Sequence, residues 1–175
     1  MRSISSLHWF ELEDIRVDQI PKIRWNGFLE EVVKDENECQ ELCAWLFSNA
    51  PYSEDEVWDV RQVTNIGLHG DKINAFKPDS KELHTLKRDM WSKGFIEIGT
   101  IHTHPIRCAV DDFVEQHLPS EKDLKYAKRF KQLVRGIVTV DYRCTFGNKA
   151  PFIRAILFHD PFGHIICRKV DRETP

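Results

Sequence analysis

His102 and His104 are the residues whose type and spacing point most directly to metal chemistry. On an extended segment, side chains at positions i and i+2 point to the same side, so both imidazoles can converge on one ion. Neutral imidazole is a frequent zinc ligand, and a catalytic zinc usually has three protein ligands and one water. The pair therefore predicts a zinc site that needs a third ligand.

Asp123 is the best candidate for that third ligand. It ends the segment Pro-Ser-Glu-Lys-Asp at residues 119–123, which has the pattern of a helix start with Ser120 at the N-cap. A helix that begins there can direct Asp123 from its first turn towards the histidine strand. The hydroxyl of Ser120, with nearby backbone N–H groups, can then donate to the oxyanion of a tetrahedral intermediate. Together the two motifs indicate a metal site with a group placed to stabilise an oxyanion, as a metal-dependent hydrolase needs.

These motifs resemble those of the JAMM metallopeptidases, which are built on the MPN or JAB domain. That family has a glutamate, then His-x-His-Pro, then Pro-Ser-x-x-Asp, and residues 102–105 and 119–123 match the last two patterns. Glu41 matches the glutamate because an apolar strand pattern follows it. Glu38 competes for this role, but the residues after it do not fit that pattern. The resemblance covers roughly residues 25–160.

The resemblance implies a role for each matching residue. His102, His104 and Asp123 would hold a zinc ion, Zn²⁺ being the expected cofactor. Glu41 would act as the general base that takes a proton from water and gives it to the leaving amine. Ser120 would share the charge on the carbonyl oxygen. We expect replacement of Glu41 by Gln to abolish turnover while zinc stays bound.

The sequence departs from the family between the second histidine and the aspartate. Eighteen residues separate His104 from Asp123, more than the family usually has, which predicts an insertion at residues 106–118. Cys108 in this stretch is either a fourth zinc ligand that blocks the water position or, as we favour, an ordinary loop thiol. Three more residues here are alternative third ligands: Asp111, Asp112 and His117.

JAMM enzymes in general cleave after the C-terminal glycine of ubiquitin or a ubiquitin-like protein, often at an isopeptide to lysine. The chain looks most like a bacterial branch that works beside E1- and E2-like enzymes, including in antiphage operons of the CBASS type. The resemblance therefore implies a deubiquitinase-like metalloprotease that removes a ubiquitin-like modifier or conjugated protein from its target. Expected partners are that substrate and, in the same pathway, E1- and E2-like enzymes.

Other functions remain alternatives. A JAB peptidase can trim a ubiquitin-like or sulfur-carrier precursor, and some MPN domains are inactive scaffolds. A zinc deaminase is disfavoured because the sequence contains neither His-x-Glu nor Pro-Cys-x-x-Cys.

Helices and strands of a mixed fold must position these residues. The lead-in at 1–24 carries at most one strand, near residues 8–12. Periodicity predicts helices over residues 23–35, from Pro78 to Gly94, and from Ser120, and strands over 42–47, 57–66, 95–101, 134–140, 152–158 and 164–170. This order indicates an α/β or α+β class with a mainly antiparallel or mixed sheet. The resemblance implies one JAB/MPN domain over residues 1–175, a mixed sheet flanked by helices, related to the cytidine-deaminase fold.

Composition excludes several partners. The net charge of −3 and pI near 6.2 give no reason to expect a nucleic acid or an anionic membrane. The N-terminus lacks the apolar region of a signal peptide, and no apolar run approaches the length of a membrane span, so we expect a soluble cytoplasmic protein. Five cysteines without a CxxC pair indicate reduced thiols.

Overall fold

The structure is a computed structural model that describes residues 21–34, 37, 41–51, 53–67, 76–106, 118–142 and 150–170. Its strands are β1 (Lys22–Arg24), β2 (Cys43–Ser48), β3 (Val57–Gln62), β4 (Ile96–Ile106), β5 (Val134–Asp141), β6 (Phe152–His159) and β7 (Ile165–Val170). The helices are α1 (Phe28–Val32), α2 (Ser80–Ser92) and α3 (Glu121–Arg129).

All seven strands form one mixed sheet, in the order β1-β3-β2-β4-β5-β6-β7. The pairs β1–β3 and β4–β5 are parallel, and the other neighbours are antiparallel. Parallel neighbours need a long crossover, and α3 lies in the one between β4 and β5. The predicted class, a mixed sheet with helices, is confirmed. Because β5 pairs with β4, the connection that contains α3 must come back to β4.

The sheet has an apolar cluster on each face, and β2 contributes to both. Ala44 and Leu46 pack into the cluster that includes α1, whereas Trp45 and Phe47 pack into the one that includes Met90 of α2. This alternation is the period-2 pattern of a strand covered on both faces. The prediction of a buried internal strand at residues 42–47 is confirmed.

Gly99 marks the closest approach of β4 to β5. A Cβ atom at this position would lie 1.6 Å from the carbonyl oxygen of Val134, so no larger residue fits without moving one strand. The pairing that begins with Gly99 opposite Val134 places His102 opposite Ile137. Glycine therefore sets the position of the strand that carries the histidines.

The two longer helices begin where their caps predict. The Asp79 side chain accepts hydrogen bonds from the backbone N–H groups of Lys81 and Glu82 at the start of α2. Ser120 caps α3 and forms a capping box with Asp123. Gly94, with φ of 80°, follows the end of α2. The predicted bounds of α2 and the predicted start of α3 are confirmed.

The prediction of one helix over residues 23–35 is wrong in its first part. Lys22–Arg24 is instead the edge strand β1, which pairs in parallel with β3. Asn26 and Gly27 then adopt positive φ values of 50° and 83°, so the helix starts only at Phe28. Pairing with a distant strand overrides the local helical spacing.

Two strands differ in length from their predictions. β4 was expected to end at residue 101 but continues to Ile106, because both histidines and Pro105 stay paired with β5. β3 ends at Gln62 rather than at residue 66. The last three strands are confirmed.

Several predictions concern residues outside the described ranges. These are the strand near residues 8–12, the competing Glu38, most of the 106–118 insertion with Cys108, and the alternative ligands Asp111, Asp112 and His117. Within the described part of the chain, no helix has the length and apolar composition needed to cross a membrane.

Candidate metal centre

His102 and His104 lie on the same face of β4, as the i, i+2 spacing predicts. Their Nε2 atoms are 3.0 Å apart, and the ring planes are inclined at 71°. Cys43 is the cross-strand neighbour of His102 and belongs to the α2 cluster, so both rings lie on the α2 side of the sheet. This contact places the two ring nitrogens where both could bind one cation.

Asp123 reaches this face from the first turn of α3. Its Oδ1 atom is 3.1 Å from Nε2 of His102, and its Oδ2 atom is 3.6 Å from Nε2 of His104. Each of the three residues offers a ligand atom within 4.8 Å of the other two. We call His102, His104 and Asp123 the ligand group; it can hold a metal ion.

The spacing of the ligand group fits a tetrahedral ion. Ligands about 2.0–2.1 Å from a tetrahedral zinc are about 3.3 Å from one another. The Nε2 atoms of the two histidines are 3.0 Å apart, and Oδ1 of Asp123 is 3.1 Å from Nε2 of His102, both close to this value; Nε2 of His104 is 3.6 Å from the other carboxylate oxygen, Oδ2. Two imidazoles and one carboxylate are also the donor types of a three-ligand catalytic zinc site.

The surroundings of His102 and Asp123 hold these two side chains in the charge states that bind metal. Desolvation, and then the charge of nearby Arg135, lower the pKa of His102 to about 3, so its imidazole is neutral at pH 7. Burial alone would raise the pKa of Asp123, but hydrogen bonds from His102, His104 and Ser120 outweigh it, and the pKa lies well below its usual range. At pH 7 the His102 imidazole is therefore neutral and the Asp123 carboxylate is ionised, which are the charge states in which these groups bind metals.

Glu41 lies next to the ligand group, just before β2. Its Oε1 atom is 3.9 Å from Nε2 of His102, close enough to face a water on a bound ion. The Glu41 and His104 side chains are 20% and 18% exposed, whereas that of His102 is 2% exposed, so the open side of the centre lies by Glu41 and His104. Burial raises the pKa of Glu41, which strengthens it as a base.

Ser120 binds Asp123 rather than pointing to open space. Its hydroxyl donates to Oδ2 of Asp123 at 2.6 Å, and its backbone N–H donates to the same oxygen at 2.9 Å. The single hydroxyl hydrogen is therefore used within the site. To donate to a substrate oxyanion, the hydroxyl would have to rotate away and leave Oδ2 to the N–H group.

Arg135 belongs to the centre, although the sequence interpretation did not single it out. Its Nη2 atom is 3.1 Å from Oδ1 of Asp123, and its Nη1 donates to the Asp123 carbonyl oxygen at 3.3 Å. The guanidinium also lies 4.6 Å from the ring centre of Tyr126. One signal was available: Arg135 is the only charged residue within the apolar run 134–140.

The structure thus brings together all five residues that the sequence singled out, with Arg135 beside them. The catalytic roles of Glu41 and Ser120 stay predictions. Cys43, under His102, is a buried free thiol. Its pKa is raised by burial to about 12.

Comparison with protein-family models and with curated proteins gives no match. Among solved structures, protein DSY2949 of Desulfitobacterium hafniense is similar at 16% identity and a TM-score of 0.47, over 87% of this chain and 90% of that one. AF2198 of Archaeoglobus fulgidus, a JAB1/MPN domain protein, is similar at 20% identity and a TM-score of 0.41, over 83% and 93%. Similarity at this level assigns neither a family nor an activity, so function is argued from the site.

Proposed function

We propose that this chain is a zinc-dependent hydrolase that cleaves an amide or isopeptide bond. The observation that carries the proposal is the meeting of His102, His104 and Asp123, whose ligand atoms lie within 4.8 Å of one another, with the carboxylate of Glu41 3.9 Å from Nε2 of His102. A ligand group alone would equally suit a structural site. A base on the open side of the centre is what favours catalysis.

His102, His104 and Asp123 would hold the ion. When bound there, zinc supplies a water of lowered pKa and a Lewis acid for the carbonyl oxygen of the substrate. Glu41 takes a proton on its carboxylate and transfers it to the leaving nitrogen, which needs one to depart as an amine. Because Glu41 is partly exposed, it can contact both water and substrate.

Ser120 holds Asp123 in the resting arrangement and, as a further part of the proposal, donates to the oxyanion. Its N–H group keeps one hydrogen bond to Oδ2 while the hydroxyl turns towards substrate. The hydroxyl donor would then act where negative charge develops, in a site partly shielded from water. A Ser120→Ala variant tests this role when its zinc content is measured beside its turnover, because the hydroxyl also binds Oδ2 and caps α3; turnover should fall in protein that is still fully loaded with zinc.

The proposed substrate is a ubiquitin-like modifier, or another conjugated protein, cleaved after its C-terminal residue. Support for this class is the resemblance of residues 102–105 and 119–123 to the JAMM motifs. E1- and E2-like enzymes that build the conjugate, a cytoplasmic location and a role in bacterial antiphage defence belong to the same proposal. The contacts of the ligand group support hydrolysis in general and do not choose the modifier.

A panel of ubiquitin-like fusions tests the proposal. Each protein is joined through its C-terminal residue either to a linear peptide or to a lysine side chain, and is incubated with the zinc-loaded chain. Cleavage of the lysine-linked fusions supports deconjugation, cleavage of linear fusions alone would indicate precursor trimming, and no cleavage with bound zinc would indicate a scaffold. Each result is read by mass spectrometry of the new C-terminus.

Three variants make the panel specific. Glu41→Gln should keep its zinc and lose about 10²–10⁴-fold in turnover, the usual contribution of a general base. Asp123→Ala should lose both zinc and turnover. Glu30→Gln, an exposed acidic position on α1, is the matched control and should behave as the unchanged protein. Unreduced turnover in Glu41→Gln would remove Glu41 from the scheme.

A further inference from the structure

We propose that Arg135 is a positioning residue of the metal centre, which orients Asp123 so that the carboxylate binds the ion through Oδ1 alone. The inference rests on the metal site of the proposed function. It assigns a role to a residue on β5 that lies outside the ligand group and outside the motifs of the sequence.

Arg135 is buried and is aimed at one partner. Its side chain is 9% exposed, and its two terminal nitrogens contact Oδ1 and the main-chain carbonyl oxygen of Asp123. The ring of Tyr126 covers one face of the guanidinium. A long cation buried this fully is retained only where its pairing is good, so its geometry is fixed by the fold.

The lone pairs of the Asp123 carboxylate show which of its two oxygens has an acceptor position left for a metal ion. An ionised carboxylate has about four acceptor positions, two on each oxygen. The backbone N–H and the hydroxyl of Ser120 fill both positions on Oδ2, and Nη2 of Arg135 fills one on Oδ1. Of these positions, one on Oδ1 is left, and Nε2 of His102 lies 3.1 Å from that oxygen.

Arg135 thus restricts how Asp123 can bind a metal. A carboxylate free to turn could bind the ion through both oxygens and occupy the position that water needs. The N–H group of Ser120 keeps its hydrogen bond to Oδ2 even when the hydroxyl turns to the substrate, and Arg135 holds Oδ1, so Oδ1 is the oxygen directed at the ion. The remaining coordination position of a tetrahedral site stays available for water.

Cobalt(II) bound in place of zinc reports this geometry directly, without turnover. Its visible absorption is intense in a four-coordinate site and weakens when a fifth ligand binds. The variants are Arg135→Met, which removes the charge and both donors, and Arg135→Lys, which keeps a cation within reach of Oδ1. Should Arg135→Met not fold, Arg135→Gln, a neutral polar side chain, replaces it.

Arg154→Met is the matched control. Nε of Arg154 pairs with Oδ2 of the buried Asp141 at 3.1 Å, and its guanidinium lies 4.3 Å from the ring centre of Phe152. It therefore resembles Arg135 in pairing, aromatic contact and burial. Asp141 is six residues from Arg135 along β5, which is roughly 20 Å.

The expected result is an intense four-coordinate spectrum for the unchanged protein and for Arg154→Met. Arg135→Met should lose visible intensity and shift its bands, and Arg135→Lys should recover most of the lost intensity. An Arg135→Met or Arg135→Gln spectrum identical to that of Arg154→Met would overturn the inference. If the unchanged protein binds no cobalt or zinc, the proposed metal site itself fails, which is a distinguishable outcome.

Discussion

Asp123→Asn is the substitution whose effect can be worked out most fully from the structure. The amide keeps the shape of the carboxylate but loses its charge and one acceptor. Its single carbonyl oxygen can still accept from Ser120, and its NH₂ group then faces Nη2 of Arg135, a donor against a donor. Two consequences follow, one without metal and one with it.

Without metal, the substitution leaves the guanidinium of Arg135 buried and unpaired. Removing one partner of a buried ion pair typically costs about 3–5 kcal/mol. Both side chains are less than one-tenth exposed, so solvent screening does not reduce this figure much. Because urea m-values of small proteins are about 1–3 kcal/mol per molar, the unfolding midpoint should fall by roughly 1–5 M.

With zinc at a hundredfold excess over its Kd, the unchanged protein should gain about 2.7 kcal/mol of stability. Asp123→Asn lacks the anionic ligand and should gain almost nothing, so the stability difference between the two proteins widens in zinc. Urea unfolding followed by tryptophan fluorescence, with zinc and with chelator, measures both terms. Asp141→Asn, which breaks the pair with Arg154, should lose stability but keep the full zinc effect.

Two results would refute this reasoning. Equal midpoints for Asp123→Asn and the unchanged protein in chelator would mean that Arg135 does not depend on Asp123. An unreduced zinc effect in the variant would mean that Asp123 is not a ligand.

Three other predictions follow from the same structure. Chelation of the metal should abolish turnover and leave the far-ultraviolet circular dichroism unchanged, since the fold has its own core. Gly99→Ala should lower the free energy of unfolding by about 1–3 kcal/mol and also weaken zinc binding, because the new Cβ would meet the Val134 carbonyl oxygen and displace β4. Urea unfolding measures the first effect and chelator competition the second. Burial lowers the pKa of His159, so its contribution to stability is present above about pH 6.5 and is lost as the pH falls; His159→Phe should flatten the fall of Tm below that pH.

Local chemistry made much of the fold predictable. The caps Asp79 and Ser120 each satisfy N–H groups of their own helix, so the starts of α2 and α3 are visible in the sequence. The buried run of β2 and the last three strands likewise have their own patterns. These elements depend on residues a few positions apart.

Elements that depend on distant partners could not be predicted in this way. β1 exists because Lys22–Arg24 finds an open edge of β3, more than thirty residues away. The spacing of Trp25, Phe28 and Val32 suits a helix equally well, so periodicity alone extended the helix too far. The prediction ends β4 too early for a similar reason. The last residues of β4 pair with β5, which comes only after α3 in the sequence.

The residues of the candidate site also differ in whether the sequence alone could identify them. The spacing of His102 and His104 indicates their convergence by itself, and a motif resemblance added Asp123 and Glu41. Arg135 could not be found from spacing, because its contact with Asp123 exists only once β5 is placed beside β4. An arginine in an apolar strand indicates a buried partner but not which one.

The most direct test of the account is a zinc anomalous difference map from crystals of the zinc-loaded protein. The account predicts one peak, about 2.0–2.1 Å from Nε2 of both His102 and His104 and about 2.0–2.2 Å from a single oxygen of Asp123, with Glu41 facing the solvent on the ion. A peak elsewhere, or an Asp123 carboxylate turned away from the two imidazoles, would contradict it.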